Sequence, residues 1–429
     1  MSKIAYFLCF LGLVFYGLER EANSESTSIT NNEPEIIKNP TISGRPVKDL
    51  QSFDRVVTGA MVAWNIPGGS VAVAKNGKII YAKGFGLSDN NKTPVLPETL
   101  FRIASVSKII TGMTILKLKE EKKLSLEDSA LEILKNIINK QSIVNQDWNN
   151  IKVKNLLRHD SGVPLIDCAS TNWLKIAADE KIDKHATPQA VLSYLVKQRL
   201  ENKPGSQFQY NNNNFLILGR IIEQVTGQTY EQYVKNQILK PMGIVNMKIG
   251  KTLKKDKDSK EVDYDIGHTP PIIKSVYPEQ GEFTQSPYGA WSMELCEAYG
   301  GWIASAADIV RFVSFFDGFE EPADLISKTT WTEMTTMPDT SYNKSDKDWW
   351  QGLAWCVRKN GQEYNYWHCG VLDETRSEVV RTADGFIWCW IFNGNTDQNV
   401  IDSLMWLARS ELKKIPVDDL APAMFPDSQ

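Results

Sequence analysis

Positive charge is not in excess in this chain: 48 Lys and Arg stand against 52 Asp and Glu, giving a formal net charge of −4. That excludes the strongly basic face on which nucleic-acid binding relies. Cysteine is scarce, six residues in all, and the spacings fit no C-x-x-C metal or redox pattern. Cys9 lies in an N-terminal apolar segment. The other five, Cys168, Cys296, Cys356, Cys369 and Cys389, are odd in number and read most simply as buried small side chains with at most one or two disulfides. The apolar run at residues 4–18 falls short of the roughly 20 residues a membrane span needs. No repeat with a period of about 20 to 50 residues is visible, which disfavours solenoids and propellers. What is present is globular in composition, 42% hydrophobic and 23% charged. At roughly 150 residues per domain, 429 residues suggest about three domains. Seven of the 13 Trp crowd into the last 81 residues, at positions 349, 350, 355, 367, 388, 390 and 406.

Lys3, the apolar run 4–18 and then Glu19, Arg20 and Glu21 have the layout of a charged n-region and an apolar h-region. The expectation is a signal peptide over 1–18, or a signal anchor if it stays uncleaved, because only one small residue stands among Phe15, Tyr16 and Gly17. The protein is then secreted, extracellular or periplasmic, and tethered to the membrane in the uncleaved case. Residues 19–45 are polar and aperiodic, as expected of a flexible linker. Asn91-Lys92-Thr93 and Asn343-Lys344-Ser345 are glycosylation sequons, relevant only in a eukaryote that exports the protein.

Two Val/Ala-rich stretches, 68–74 and 78–85, flank Asn76-Gly77, a hairpin signal because both turn residues must accept positive φ. The spacing of Val106, Ile109, Ile110, Met113 and Leu116 predicts a mostly buried helix over 106–118. From about 126 to 300 the reading is mainly helix and loop. Thr187-Pro188 opens a helix at 190–196, 215–225 is amphipathic and ends at Gly227, and 251–260 reads as a solvated charged loop. Ser305 to Asp308 is a capping box before a helix at 309–316. Strand character returns at 353–358, 363–368, 377–382 and 386–392, with Asp384-Gly385 as a second hairpin turn, and a helix at 400–412 closes the chain. Strands at both ends with helices between them predict one discontinuous α/β unit, an antiparallel sheet flanked by helices with a mainly helical insertion. The expected boundaries are a sheet subdomain of 46–106 plus 300–415, a helical subdomain of 107–299, and a tail at 416–429.

Three positions match S-x-x-K: Ser105/Lys108, Ser341/Lys344 and Ser410/Lys413. Only Ser105 follows an extended segment, 100–103, and opens a buried helix. Three residues make about one turn, so Lys108 rises on the same face as Ser105. Unpaired N–H groups at a helix start favour negative charge on a seryl oxygen and on a neighbouring oxyanion. A buried Lys loses its charge readily and can act as general base. Tyr210-Asn211-Asn212 is the only Y-x-N and sits in a turn after Pro204-Gly205. A phenol beside a Lys can relay a proton, and an Asn amide can hold a substrate carbonyl. His368-Cys369-Gly370 is the only H-x-G and ends a predicted strand. Its imidazole can donate to a substrate carboxylate or to Tyr210, and Gly370 allows close approach to the backbone. Each of the three, taken alone, also fits a purely structural role.

Taken in order, S-x-x-K, Y-x-N and H-x-G resemble the serine β-lactamase and penicillin-binding-protein superfamily, nearest its class C-like branch of β-lactamase-related serine hydrolases. The likeness extends over residues 67–86, 100–126, 156–162, 204–243, 300–312 and 352–393. It implies Ser105 as acylated nucleophile and Lys108 with Tyr210 as the proton-transfer pair. Asn212 would position the substrate, and His368 would replace the Lys of K-T-G. The N–H groups of Ser105 and Val371 would form the oxyanion hole. No metal or organic cofactor is implied. Partners are limited to a small-molecule or peptide substrate bearing an amide, ester or lactam. The H-x-G form is more similar to esterases and peptidases than to dedicated β-lactamases. One departure is Val371 to Thr375, where Asp373 and Glu374 bring two carboxylates near the site and would favour cationic substrates. Lys359-Asn360-Gly361 also reads as K-x-G, but its Asn-Gly looks like a hairpin turn. The alternative to an enzyme is a degenerate relative that binds a ligand or assembles without catalysis.

Overall fold

The computed structural model describes residues 38–411 apart from 171, 183–184 and 339–347, together with 419, 420 and 424. The expected signal at 1–18, most of the linker, the Asn343 sequon, Ser341/Lys344 and Lys413, and most of the tail lie outside the described residues. Among the described residues no helix is long and apolar enough to cross a membrane.

The main sheet has eight strands: β1 (Ile42–Ser43), β2 (Gly68–Lys75), β3 (Lys78–Gly86), β4 (Trp350–Gln351), β5 (Cys356–Asn360), β6 (Glu363–Leu372), β7 (Thr375–Arg381) and β8 (Phe386–Phe392). Their order is β1-β3-β2-β8-β7-β6-β5-β4, every pair antiparallel. Tight turns explain the hairpins. Asn76 and Gly77 take φ of 49° and 74° between β2 and β3, and Gly385 takes 86° before β8. The sheet closes where the two ends of the chain meet, β2 against β8, with Val71 opposite Trp390 and Gly69 opposite Phe392.

The five longest helices among the described residues are α1 (Gln51–Trp64), α2 (Ser107–Glu120), α3 (Asn212–Thr226), α4 (Ala306–Ser314) and α5 (Gln398–Ser410). Alternate residues of a strand face opposite sides. Phe386, Trp388, Trp390 and Phe392 of β8 accordingly pack with Val71 and Val73 on the side covered by α1 and α5. Ile387, Cys389 and Ile391 join Ala72 and Ala74 in the larger core, which also contains α4, α2 and α3. Ser305 caps α4 with Asp308 in a reciprocal pair of hydrogen bonds. The remainder is mainly helical, with a small three-stranded sheet of Phe101–Arg102, Trp302–Ala304 and Lys248–Ile249 beside it.

Several local expectations change. The end of the supposed linker is a strand: Ile42 and Ser43 pair with Phe85 and Gly84, and the Ser43 hydroxyl donates to Val95 O at 2.5 Å, because the edge of β3 offers unpaired backbone groups. The charged run 251–260 is a mostly exposed loop, as expected, pinned by ion pairs that place Lys254 2.7 Å from Asp265 and Lys257 3.4 Å from Asp263. Trp355 lies just before β5, not on it, and packs in the larger core, while Trp367, Trp388 and Trp390 face α1 and α5. Of the five cysteines among the described residues, four are buried and Cys369 is half-buried.

Candidate active site

Ser105 stands on a single 3-10 turn, Ala104–Val106, directly before α2. Ala104 has φ of +47°, a left-handed conformation costly for an alanine. That turn is wedged against β6. A Cβ on Gly370 would meet the Ile103 carbonyl and the Ser377 hydroxyl, and Ser377 Oγ donates to that same carbonyl at 2.8 Å. Pairing between β5 and β6 ends at Cys356 opposite Trp367, so residues 368–372 have a strand neighbour, β7, on one side only. The other edge, carrying His368, Gly370 and Val371, lies along the Ser105 turn.

Lys108, in the first turn of α2, is fully buried, and its Nζ is 3.0 Å from Ser105 Oγ. It also donates to Tyr299 O at 2.9 Å. Burial pushes its pKa down to about 7, against an opposing effect of the neighbouring Cys296. Near neutrality, then, much of Lys108 carries a lone pair instead of a charge. The Tyr210 ring lies beside it, with Nζ 4.9 Å from the ring centroid.

Tyr210 is delivered by the segment that caps α3. The Asn211 side chain accepts from Asn213 N at 2.9 Å and donates to Val163 O at 2.6 Å. Asn213 donates to the carbonyls of Pro164 and Ile166. Asn212, next to Tyr210 and half-exposed, has a buried Oδ1 with no partner among the described residues.

His368 is buried on β6, and its Nδ1 lies 2.8 Å from Cys369 O. A carbonyl only accepts, so Nδ1 carries the proton and Nε2 the lone pair. Burial first, and the nearby Lys108 second, push its pKa down to about 3. His368 is therefore a neutral acceptor at working pH, not a cation standing where a Lys would offer one. Glu374, one of the two carboxylates expected beside the cleft, is occupied elsewhere: it accepts from Asn395 Nδ2 at 2.9 Å and pairs with His268 Nε2 at 3.2 Å. The Lys359-Asn360-Gly361 segment is an exposed hairpin end of β5 and β6, as its Asn-Gly suggests. Among the described residues no group of three or more His, Cys, Asp or Glu could hold a metal ion.

Ser105, Lys108, Tyr210 and the His368 to Val371 edge are thus brought together. The sequence assigns no role to Ala104, to the Tyr299 carbonyl or to His159, the last of which falls within the likeness at 156–162. An alanine and a backbone carbonyl carry no sequence signal, and His159 lies 51 residues before Tyr210.

The Beta-lactamase family pattern matches residues 53–400, and the chain belongs to that family. It is 27% identical over 332 residues to Protein flp of Staphylococcus aureus (strain N315), covering 77% of this chain and 60% of that protein. The chain thus spans about three fifths of that relative's length. Among solved structures, the octameric penicillin-binding protein homologue from Pyrococcus abyssi superposes with a TM-score of 0.62 at 24% identity, over 85% of this chain and 78% of that one. A class C beta-lactamase gives 0.65 at 19% identity, over 86% and 98%. These two share the fold.

Proposed function

We propose that this protein is a serine hydrolase that cleaves an amide, ester or lactam through an acyl-enzyme on Ser105. The observation that carries the reading is the Lys108 amine, fully buried and 3.0 Å from Ser105 Oγ. Neutral Lys108 takes the hydroxyl proton as Oγ attacks the substrate carbonyl carbon. The resulting oxyanion is held by the N–H groups of Ser105 and Val371; losing one such donor typically costs ~10² to 10³ in rate. The proton then passes by way of Tyr210 to the leaving nitrogen or oxygen as its bond to carbon breaks. Water repeats the sequence on the acyl-enzyme and returns Ser105 to its starting state. Asn212 Oδ1 and the open edge of β6 orient the substrate.

The protonation state of His368 supports a preference. Its Nε2 lone pair can accept from a phenol or a substrate N–H, and it offers no positive charge to a substrate carboxylate. Neutral esters and amides are expected to outrun carboxylate-bearing lactams. The test is labelling of Ser105 by a fluorophosphonate, together with hydrolysis of short-chain esters, D-amino-acid peptides and a chromogenic cephalosporin by wild type and Ser105→Ala. Stoichiometric labelling, and hydrolysis lost in Ser105→Ala, support the reading. A wild-type protein that is never labelled and hydrolyses none of the panel is a ligand-binding relative without catalysis. Export is the companion proposal, resting on the layout of residues 1–21. The mass of the mature N-terminus distinguishes a cleaved signal from an anchor.

A further inference from the structure

His159 follows the short helix Val153–Leu157 and takes φ of +57°, a left-handed conformation uncommon for residues other than glycine. It is buried, and it grips the segment carrying Tyr210 at two points on either side of the tyrosine. Its carbonyl accepts from Gln209 N at 2.8 Å, and its Nδ1 accepts from Asn211 N at 3.1 Å. The ring lies 4.5 Å from the Tyr210 ring, tilted by 35°, and 5.1 Å from Phe215 of α3.

The ring's protonation follows from its neighbours. Ser161 Oγ donates to Asn214 Oδ1 at 2.5 Å, which turns the Asn214 amide nitrogen toward His159 Nδ1, 3.3 Å away. Two donors converge on Nδ1, so the proton sits on Nε2. That Nε2 is buried without a partner among the described residues. Burial, and secondarily Lys108 and His368, hold the ring well below its ordinary pKa. A charged imidazole here would repel Lys108, so the neutral form is the one compatible with a working base.

We propose that His159 is a positioning residue that holds the Tyr210 phenol against Lys108. The inference rests on the acyl-enzyme reading, because it is the proton relay that requires the phenol to be held. Displacing a positioned group by about 1 Å can cost 10²-fold in rate.

The test compares wild type, His159→Ala and His159→Asn on p-nitrophenyl butyrate, with active sites counted by fluorophosphonate labelling. Asn keeps an oxygen near the Nδ1 position and tolerates positive φ. For His159→Ala we expect kcat per labelled site to fall about tenfold or more while KM stays within about threefold. His159→Asn should recover most of the lost kcat. Unchanged kcat per labelled site in His159→Ala overturns the proposal, and so does an Asn variant no better than Ala. If His159→Ala does not fold, His159→Asn decides: kcat within about threefold of wild type supports the role, and a larger loss overturns it. A wild type that is not labelled overturns the acyl-enzyme reading and this role with it, whereas a labelled wild type with an indifferent His159→Ala overturns this role alone.

Discussion

A buried lysine amine with no carboxylate partner among the described residues is the residue-scale observation from which the proposed chemistry follows. Its unfolded pKa is near 10.4, and in the folded protein it is about 7. Between these two values the unfolded chain binds a proton that the native protein has lost, so stability rises with pH across that window, and the penalty is full below about pH 7. Lys108→Met should therefore raise Tm at pH 6 while cutting kcat by at least ~10², the usual worth of a general base. A variant that loses both activity and Tm would contradict this account of the burial cost. In the proposed mechanism neutral Lys108 is the active form, so kcat/KM for a short-chain ester should climb with pH to a plateau, with an inflection near 7. A flat profile between pH 5 and 9 would show that Lys108 is not the base.

Elements set the distances between these residues. The Ser105 turn rests on β6 at Gly370, where a Cβ would run into the Ile103 carbonyl, an atom of the turn's own backbone. Gly370→Ala is expected to separate the turn from the strand. The loss should be ~1–3 kcal/mol in urea unfolding, with a disproportionate loss of kcat. The capping box of α4 is a separate local device, and Ser305→Ala should cost about 1 kcal/mol with kcat per labelled site unchanged. Trp388, fully buried and 4.8 Å from Trp406 of α5 edge to face, holds α5 to the sheet. Trp388→Ala should cost ~3–5 kcal/mol by the same measurement.

The molecule as a whole is closed by its ends. β2 and β3 come from the first hundred residues and β4 to β8 from the last eighty, and they meet only at the β2–β8 ladder. A chain stopped after residue 382 lacks β8 and α5. It leaves an edge of β2 unpaired and exposes Val71 and Val73 to solvent. Such a chain is expected to aggregate and to show no cooperative unfolding transition by circular dichroism. A soluble, cooperatively folding fragment would mean that the N-terminal portion is an independent domain.

Local chemistry made much of this readable in advance. Asn76, Gly77 and Gly385 specify turns because their backbones accept positive φ, and Ser305 with Asp308 specifies a helix start by pairing its orphan N–H groups. Ser105 and Lys108 share a face because three residues make about one helical turn. The Trp-rich end of the chain is legible as buried sheet, although only the fold assigns Trp355 to one side and Trp388 and Trp390 to the other. The rest depends on contacts between distant residues. The Ala104 conformation, the Tyr299 carbonyl under Lys108, the two-point grip of His159 on Tyr210, and the pairing of Glu374 with His268 all join segments far apart in sequence. The sequence by itself determined most of the elements that form and put Ser105 and Lys108 on one face, since propensity, capping and periodicity act over a few residues. Tertiary structure alone decided their proton states and mutual distances, because desolvation and long-range packing exist only once the chain has closed.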